Sequence, residues 1–270
     1  MIEKLGNLPI TFVSLLAGIF TWAMTAVGAG LVFAAKSFNQ KLFDFMMGFA
    51  AGVMIAASFW SLLAPAIEMS KHLKYFAWFP AGIGFFLGSS VLRIADKFLP
   101  HLHLGFPESE SEGIKISLST TSLLVLAITL HNIPEGLAVG VAIGATSVGL
   151  SDVTLTGALT LALGIGIQNL PEGFAVSISL RREGIPRFKS FMYGQLSAIV
   201  EPVFAIIGTI GVMWAKSLLP YAMGFAAGAM IFVVIEEIIP EAQKHGNTDL
   251  STTGTIFGFL VMMILDVAFG

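Results

Sequence analysis

Long apolar runs, each closed by a short cluster of charged or turn-forming residues, recur from one end of the chain to the other. About 20 apolar residues in a row are enough for a helix to cross a bilayer. Runs of roughly that length or longer fall at 9–35, 41–69, 75–98, 117–145, 154–180, 188–215, 219–244 and 252–270. The pattern predicts an all-α membrane protein with eight transmembrane helices in a single transmembrane domain, 1–270. The breaks are short polar turns at 36–41 and 70–74, a small-residue loop at 147–152, a Gly184/Pro186 turn within 181–189, and a polar stretch at 244–251. The longest break, 100–115, carries His101, His103 and three glutamates.

Lys and Arg concentrate on the inner side of membrane proteins. With the N-terminus outside, ten of the fourteen Lys and Arg fall on the inner side and four on the outer. That asymmetry predicts both termini outside. Composition agrees with a membrane class, since 56% of residues are hydrophobic and 11% charged, against about 25% charged in an ordinary soluble domain. A net charge of −3 without any basic stripe excludes nucleic acid as a partner. The absence of cysteine excludes disulfides and thiolate metal sites.

Two internal repeats are visible. Gly48-Phe49-Ala50-Ala51-Gly52-Val53-Met54-Ile55 returns as Gly224-Phe225-Ala226-Ala227-Gly228-Ala229-Met230-Ile231, seven of eight positions matching at an offset of 176. The second and seventh runs that hold these octapeptides point in opposite directions across the bilayer. So do the fourth and fifth, which hold a repeated polar hexapeptide: His131-Asn132-Ile133-Pro134-Glu135-Gly136 and Gln168-Asn169-Leu170-Pro171-Glu172-Gly173. Paired segments of opposed direction predict an inverted-repeat (3+2+3) architecture with a site near the midplane.

Ionisable residues inside an apolar helix need a compensating partner. His131 and Glu135, at i and i+4, share one helix face, and Gln168 and Glu172 repeat that spacing. Asn132 and Asn169 lie about 100° round from the first residue of each pair. Pro134 and Pro171 lack an N–H and clash with the carbonyl four residues back, which predicts spare backbone oxygens at Leu130 and Ile167. A third acid, Glu201, precedes Pro202 in the sixth run. Like charges gathered in hydrocarbon cannot all ionise unaided; a divalent cation, or protons exchanged for it, resolves the conflict. Imidazole, carboxylate and amide donors without thiolate suit Zn²⁺, Fe²⁺, Mn²⁺ or Cd²⁺, and the imidazole disfavours Mg²⁺ and Ca²⁺. Candidate pathway residues are Glu236 and Glu237 before Pro240, Asp44 and Asp96 near the inner ends of their runs, and His101 and His103 in the long loop.

These motifs closely resemble the ZIP (Zrt-, Irt-like protein) family of divalent-metal transporters, in its prokaryotic GufA-like branch. The resemblance extends over nearly all of the chain. It implies uptake of Zn²⁺ or a similar ion into the cytoplasm, a binuclear centre, and an elevator-type movement of the metal-carrying helices against a scaffold. One ion would be held by His131, Glu135, Gln168 and Glu172, with Met54 matching a methionine that some members contribute. The second would be held by Asn132, Asn169 and Glu201 with Glu135 and Glu172 bridging. Asn169 departs from relatives that carry aspartate there, so the second site is short of one charge. The expected setting is the cytoplasmic (inner) cell membrane, multi-pass; the expected partners are divalent metal ions and the lipid bilayer, and the resemblance admits a homodimer. An intramembrane metalloenzyme and a non-transporting metal sensor are the competing readings. The first lacks a His-Glu-x-x-His motif; the second has no need of two alternating faces.

Overall fold

The computed structural model describes residues 7–34, 39–98, 120–147 and 154–269. Among them the chain is helical and contains no strand. The helical runs are α1 (Ile10–Ala34), α2 (Gln40–Met69), α3 (Trp78–Phe98), α4 (Thr120–Thr146), α5 (Leu155–Arg182), α6 (Arg187–Trp214), α7 (Lys216–Gln243) and α8 (Thr248–Phe269). Seven helices among the described residues are long and apolar enough to cross a membrane. α5, 28 residues long, falls outside that set. Its inward-facing Gln168, Asn169 and Glu172 and its terminal arginines dilute its apolar content. His101 and His103 lie outside the described residues.

The side-chain pattern is that of a protein whose solvent is hydrocarbon. The buried stripe of α1 is made of small and hydroxylated residues, among them Ser14, Gly18, Thr21, Thr25 and Ala29. Its large apolar residues Phe12, Phe20, Val27 and Phe33 face outward. In lipid there is no hydrophobic gain from hiding a phenylalanine, and small residues let backbones approach.

The helices sort into two groups by their closest packing. In one, α2 lies along α8 and α3 along α7. In the other, α1 lies along α5, α4 along α6, and α1 also touches α6. The groups meet where α2 touches α5 and α7 touches α4. The octapeptide repeat sets the packing in the first group. A Cβ on Gly52 would stand 1.9 Å from the Thr255 carbonyl oxygen of α8, and one on Gly228 would stand 2.0 Å from the Phe85 oxygen of α3. Only glycine permits such approach.

Three helices are locally broken, and proline accounts for each break. α2 widens into a π-turn at Ser58–Leu63, α7 does so at Val234–Ile238, and α6 loses its regular hydrogen bonding at 197–199. The residue four before Pro65 is Ser61, four before Pro240 is Glu236, and four before Pro202 is Ala198. The proline ring displaces that residue's carbonyl; the turn widens in α2 and α7, whereas in α6 it tightens, with Ile199 N bonding Leu196 O and Glu201 N bonding Ala198 O. α4 and α5 continue through Pro134 and Pro171.

Candidate metal centre

α4, α5 and α6 bring the hexapeptide residues and Glu201 into one buried polar core. Glu135, Gln168, Asn169 and Glu201 are fully buried, and Asn132 and Glu172 nearly so. Gln168 Nε2 donates to Glu135 Oε1 at 2.9 Å. Asn169 Nδ2 lies 3.0 and 3.1 Å from the two carboxylate oxygens of Glu201, and 3.2 Å from the Thr21 carbonyl of α1. Asn132 Nδ2 donates to Ile128 O at 2.9 Å and to Ser197 O at 3.2 Å. The break in α6 thus exposes the Ser197 carbonyl, and the amide from α4 occupies it.

Glu135, Glu172 and Glu201 are close enough to repel one another, and Glu172 also feels Glu237. Set against this repulsion are four buried oxygens without a hydrogen-bond partner: Glu135 Oε2, Gln168 Oε1, Asn169 Oδ1 and Glu172 Oε1. Buried polar atoms are rarely left so. An orphaned acceptor loses its hydration without compensation, and four of them on neighbouring turns of α4 and α5 form a set of lone pairs. Among the described residues, no three His, Asp or Glu side chains are gathered as a preformed cage. A metal held here would need amide oxygens to complete its coordination shell.

His131 meets a partner that the sequence did not suggest. Its Nε2 contacts Glu237 Oε1 on the π-turn of α7, and both side chains are largely shielded. Glu237, a pathway candidate, is thus joined to the centre, while its neighbour Glu236 is exposed. Asp96 of α3 lines a small pocket with Leu130, His131 and Glu237. Met54 is fully buried in the core of α2, and its carbonyl accepts from the Ser58 hydroxyl at 2.8 Å. Asp44 stands elsewhere: its carboxylate is engaged by Gln40 and Asn247, each at 2.7 Å, with His245 Nδ1 at 3.4 Å.

Two buried acids escaped the sequence reading, Glu241 of α7 and Asp266 of α8. Asp266 of α8 is 8% exposed and accepts from Ser61 Oγ at 2.6 Å, with its second oxygen unpartnered. A lone acid in the last apolar run was the available signal, the same one that marked Glu201.

A helical membrane protein with a buried core of carboxylates and amides is the class that the fold and these residues define. The description "ZIP Zinc transporter" matches residues 107–266. The chain is 41% identical to "Zinc transporter ZIP11" of Homo sapiens, over 96% of this chain and 98% of that protein. It is 34% identical to "Zinc transporter GufA" of Myxococcus xanthus, over 95% of this chain and 98% of that protein. With "Zinc transporter ZIPB" of Bordetella bronchiseptica it shares 35% identity, over 95% of this chain and 81% of the relative. The chain belongs to the ZIP zinc transporter family, and it is a multi-pass membrane protein. Its relatives are transporters and not enzymes, which removes the metalloenzyme reading.

Proposed function

We propose that the chain carries a divalent transition-metal ion, with Zn²⁺ as the leading cargo, across the inner cell membrane into the cytoplasm. The observation that carries this reading is the set of four unpartnered oxygens on Glu135, Gln168, Asn169 and Glu172. Dehydrated cations held among them satisfy these oxygens and cancel the mutual repulsion of the acids. The names borne by the relatives, all zinc transporters, support the same cargo. Fe²⁺, Mn²⁺ and Cd²⁺ share the ligand preferences of this donor set.

In this reading the first ion sits among Glu135, Gln168 and Glu172, with His131 turning from Glu237 to join them. Met54 reaches the same ion from α2. The second site is Asn132, Asn169 and Glu201 with the two bridging glutamates, and it binds more weakly because Asn169 brings no charge. His131, Glu237 and Asp96 then form the next station toward the cytoplasm. The ion moves by relay from one charged cluster to the next, held at each loosely enough to leave.

The movement is of the elevator type. α1, α4, α5 and α6 travel together, carrying the ion, against α2, α3, α7 and α8. An apolar crevice lined by Leu87, Leu137, Val141, Ile207 and Phe225 runs along the boundary between the groups; such a surface has no hydrogen bonds to break when it slides. α5 is the eighth crossing, shielded from lipid by its neighbours, and both termini face outward.

An inverted 3+2+3 repeat underlies the two groups. The π-turns of α2 and α7 begin at the same offset of 176 that relates the octapeptides. Exchange of α1 with α6, α2 with α7, α3 with α8 and α4 with α5 turns each helix-packing pair into another pair of the set. Two related halves supply the two alternating faces that a carrier requires.

The reading is tested with the purified chain in proteoliposomes enclosing a zinc-sensitive dye. Wild-type protein admits Zn²⁺, and Glu172→Ala protein that retains its helicity does not. Equal influx through both rejects the site.

A further inference from the structure

A second cluster of metal-capable side chains lies apart from the acid core, at the end of the bundle where α2 begins and α7 hands over to α8. Gln40 and Asp44 occupy successive turns of α2. His245 and Asn247 flank Gly246, whose φ of +78° turns the chain between α7 and α8. Asp44 is completely buried. Among the described residues, its imidazole partner is His245, and no lysine or arginine bridges to it. A buried carboxylate demands strong compensation, and here it receives two amides and an imidazole.

The spacing of these groups is that of a coordination shell. The Gln40 amide atom is 2.7 Å from Asp44 Oδ1 and 2.8 Å from His245 Nδ1. His245 Nδ1 is 3.4 Å from Asp44 Oδ1, and the Asn247 amide atom is 2.7 Å from Asp44 Oδ2. Ligands about 2.0–2.2 Å from a shared ion stand roughly 3 Å from one another. Turning either amide by a half rotation exchanges its N–H₂ for its oxygen and leaves the heavy-atom positions nearly unchanged. The cluster then presents the Asp44 carboxylate, two amide oxygens and one imidazole nitrogen to a common centre. His245 is at the protein surface, so an ion has a route in from water.

We infer that Gln40, Asp44, His245 and Asn247 form a binding site for a divalent transition-metal ion, separate from the centre in α4 and α5. The donor set of imidazole, carboxylate and amide oxygen selects the same ions as that centre. Occupancy ties the α7–α8 connection to the first turns of α2. Both elements belong to the same helix group, so the ion braces that group and does not bridge it to the other. The inference does not depend on transport: it concerns binding and is tested by binding.

The test uses the full chain and Cd²⁺ as the probe. Crystals soaked in Cd²⁺ are expected to give an anomalous peak enclosed by Gln40, Asp44, His245 and Asn247. The peak disappears in His245→Ala, a surface change that leaves the helices intact, while density near Glu135 and Glu172 is unaffected. Equilibrium dialysis of the two proteins then differs by one Cd²⁺ per chain. Absence of the wild-type peak, or a peak and stoichiometry that survive His245→Ala, overturns the inference and leaves a purely hydrogen-bonded knot.

Discussion

Asn132 and Asn169 make the same hydrogen bond to different helices. Each donates its side-chain amide at 3.2 Å to a backbone carbonyl, Ser197 of α6 in one case and Thr21 of α1 in the other. The asparagines are 37 residues apart, as the hexapeptides are, and the carbonyls are 176 apart, as the octapeptides are. One frame is thus used twice. What differs is the next position: Glu201 on α6 accepts from Asn169, whereas the matching residue on α1 is Thr25, whose hydroxyl turns back to Thr21 O. At this pair of positions the charge is therefore on one side only, on α6 and not on α1.

Asn169→Asp tests the missing charge at the second site. The amide now donates to both oxygens of Glu201, and the substitution replaces a donor by a second anion. The expected outcome is opposite in the two states. Without metal the variant loses about 1.5–3 kcal/mol, the worth of a hydrogen bond to a charged group. With Zn²⁺ it binds a second ion more tightly. Calorimetric titration and thermal melts with and without chelator check both; equal stoichiometry and affinity in the two proteins would rule it out.

His131 and Glu237 act as one unit. The imidazole contacts the Glu237 carboxylate directly, so removal of either partner is expected to disable the same proposed station. His131→Ala and Glu237→Ala are each expected to reduce Zn²⁺ influx strongly, and the double variant to be no worse than the weaker single variant. Such non-additivity is the mark of coupled residues. Independent, multiplying losses would show that the contact has no part in transport.

Asp266 stands in α8 as Asp96 stands in α3, at the offset of 170 that also relates Gly84 to Gly254 and Gly88 to Gly258. Both acids lie beside a π-turn: Asp96 near Glu237, and Asp266 on Ser61. Asp266→Asn keeps the hydrogen bond, since the Ser61 hydroxyl can donate to an amide oxygen, so its melting temperature should stay near wild type. Its influx is expected to fall at low Zn²⁺ and to recover at saturating Zn²⁺. A melting temperature several degrees lower with unchanged influx would make the residue structural only.

Gly228→Leu tests the packing of the octapeptide repeat. A side chain there would collide with the Phe85 carbonyl of α3, and overpacking of this kind costs about 1–3 kcal/mol. Thermal melts in detergent measure the loss. An unchanged melt would mean that α3 and α7 do not rely on backbone contact.

The membrane class and the helical runs are legible in the sequence because a bilayer demands continuous apolar stretches. The core residues are legible because acids and amides in those stretches are exceptional. The partner of His131 is not. Spacing along α4 places His131 on the face of Glu135, but that Glu237 of α7 reaches the imidazole depends on how α7 packs against α4. The π-turns at Ser58 and Val234 are hidden for a related reason. Proline marks a break, yet Pro134 and Pro171 sit in helices that continue while Pro65 and Pro240 follow turns that widen. The neighbours decide which. Asp44 looks like any acid near a helix end until the α7–α8 connection folds back to bring His245 and Asn247 against it.

The central claim is that the orphaned oxygens of α4 and α5 hold a metal ion. Anomalous diffraction at the zinc absorption edge, from crystals of the chain grown with Zn²⁺, addresses it directly. A peak within bonding distance of Glu135, Gln168 and Glu172, lost in Glu172→Ala, is the predicted result. Zinc-soaked crystals in which those oxygens bind only water or one another would contradict it.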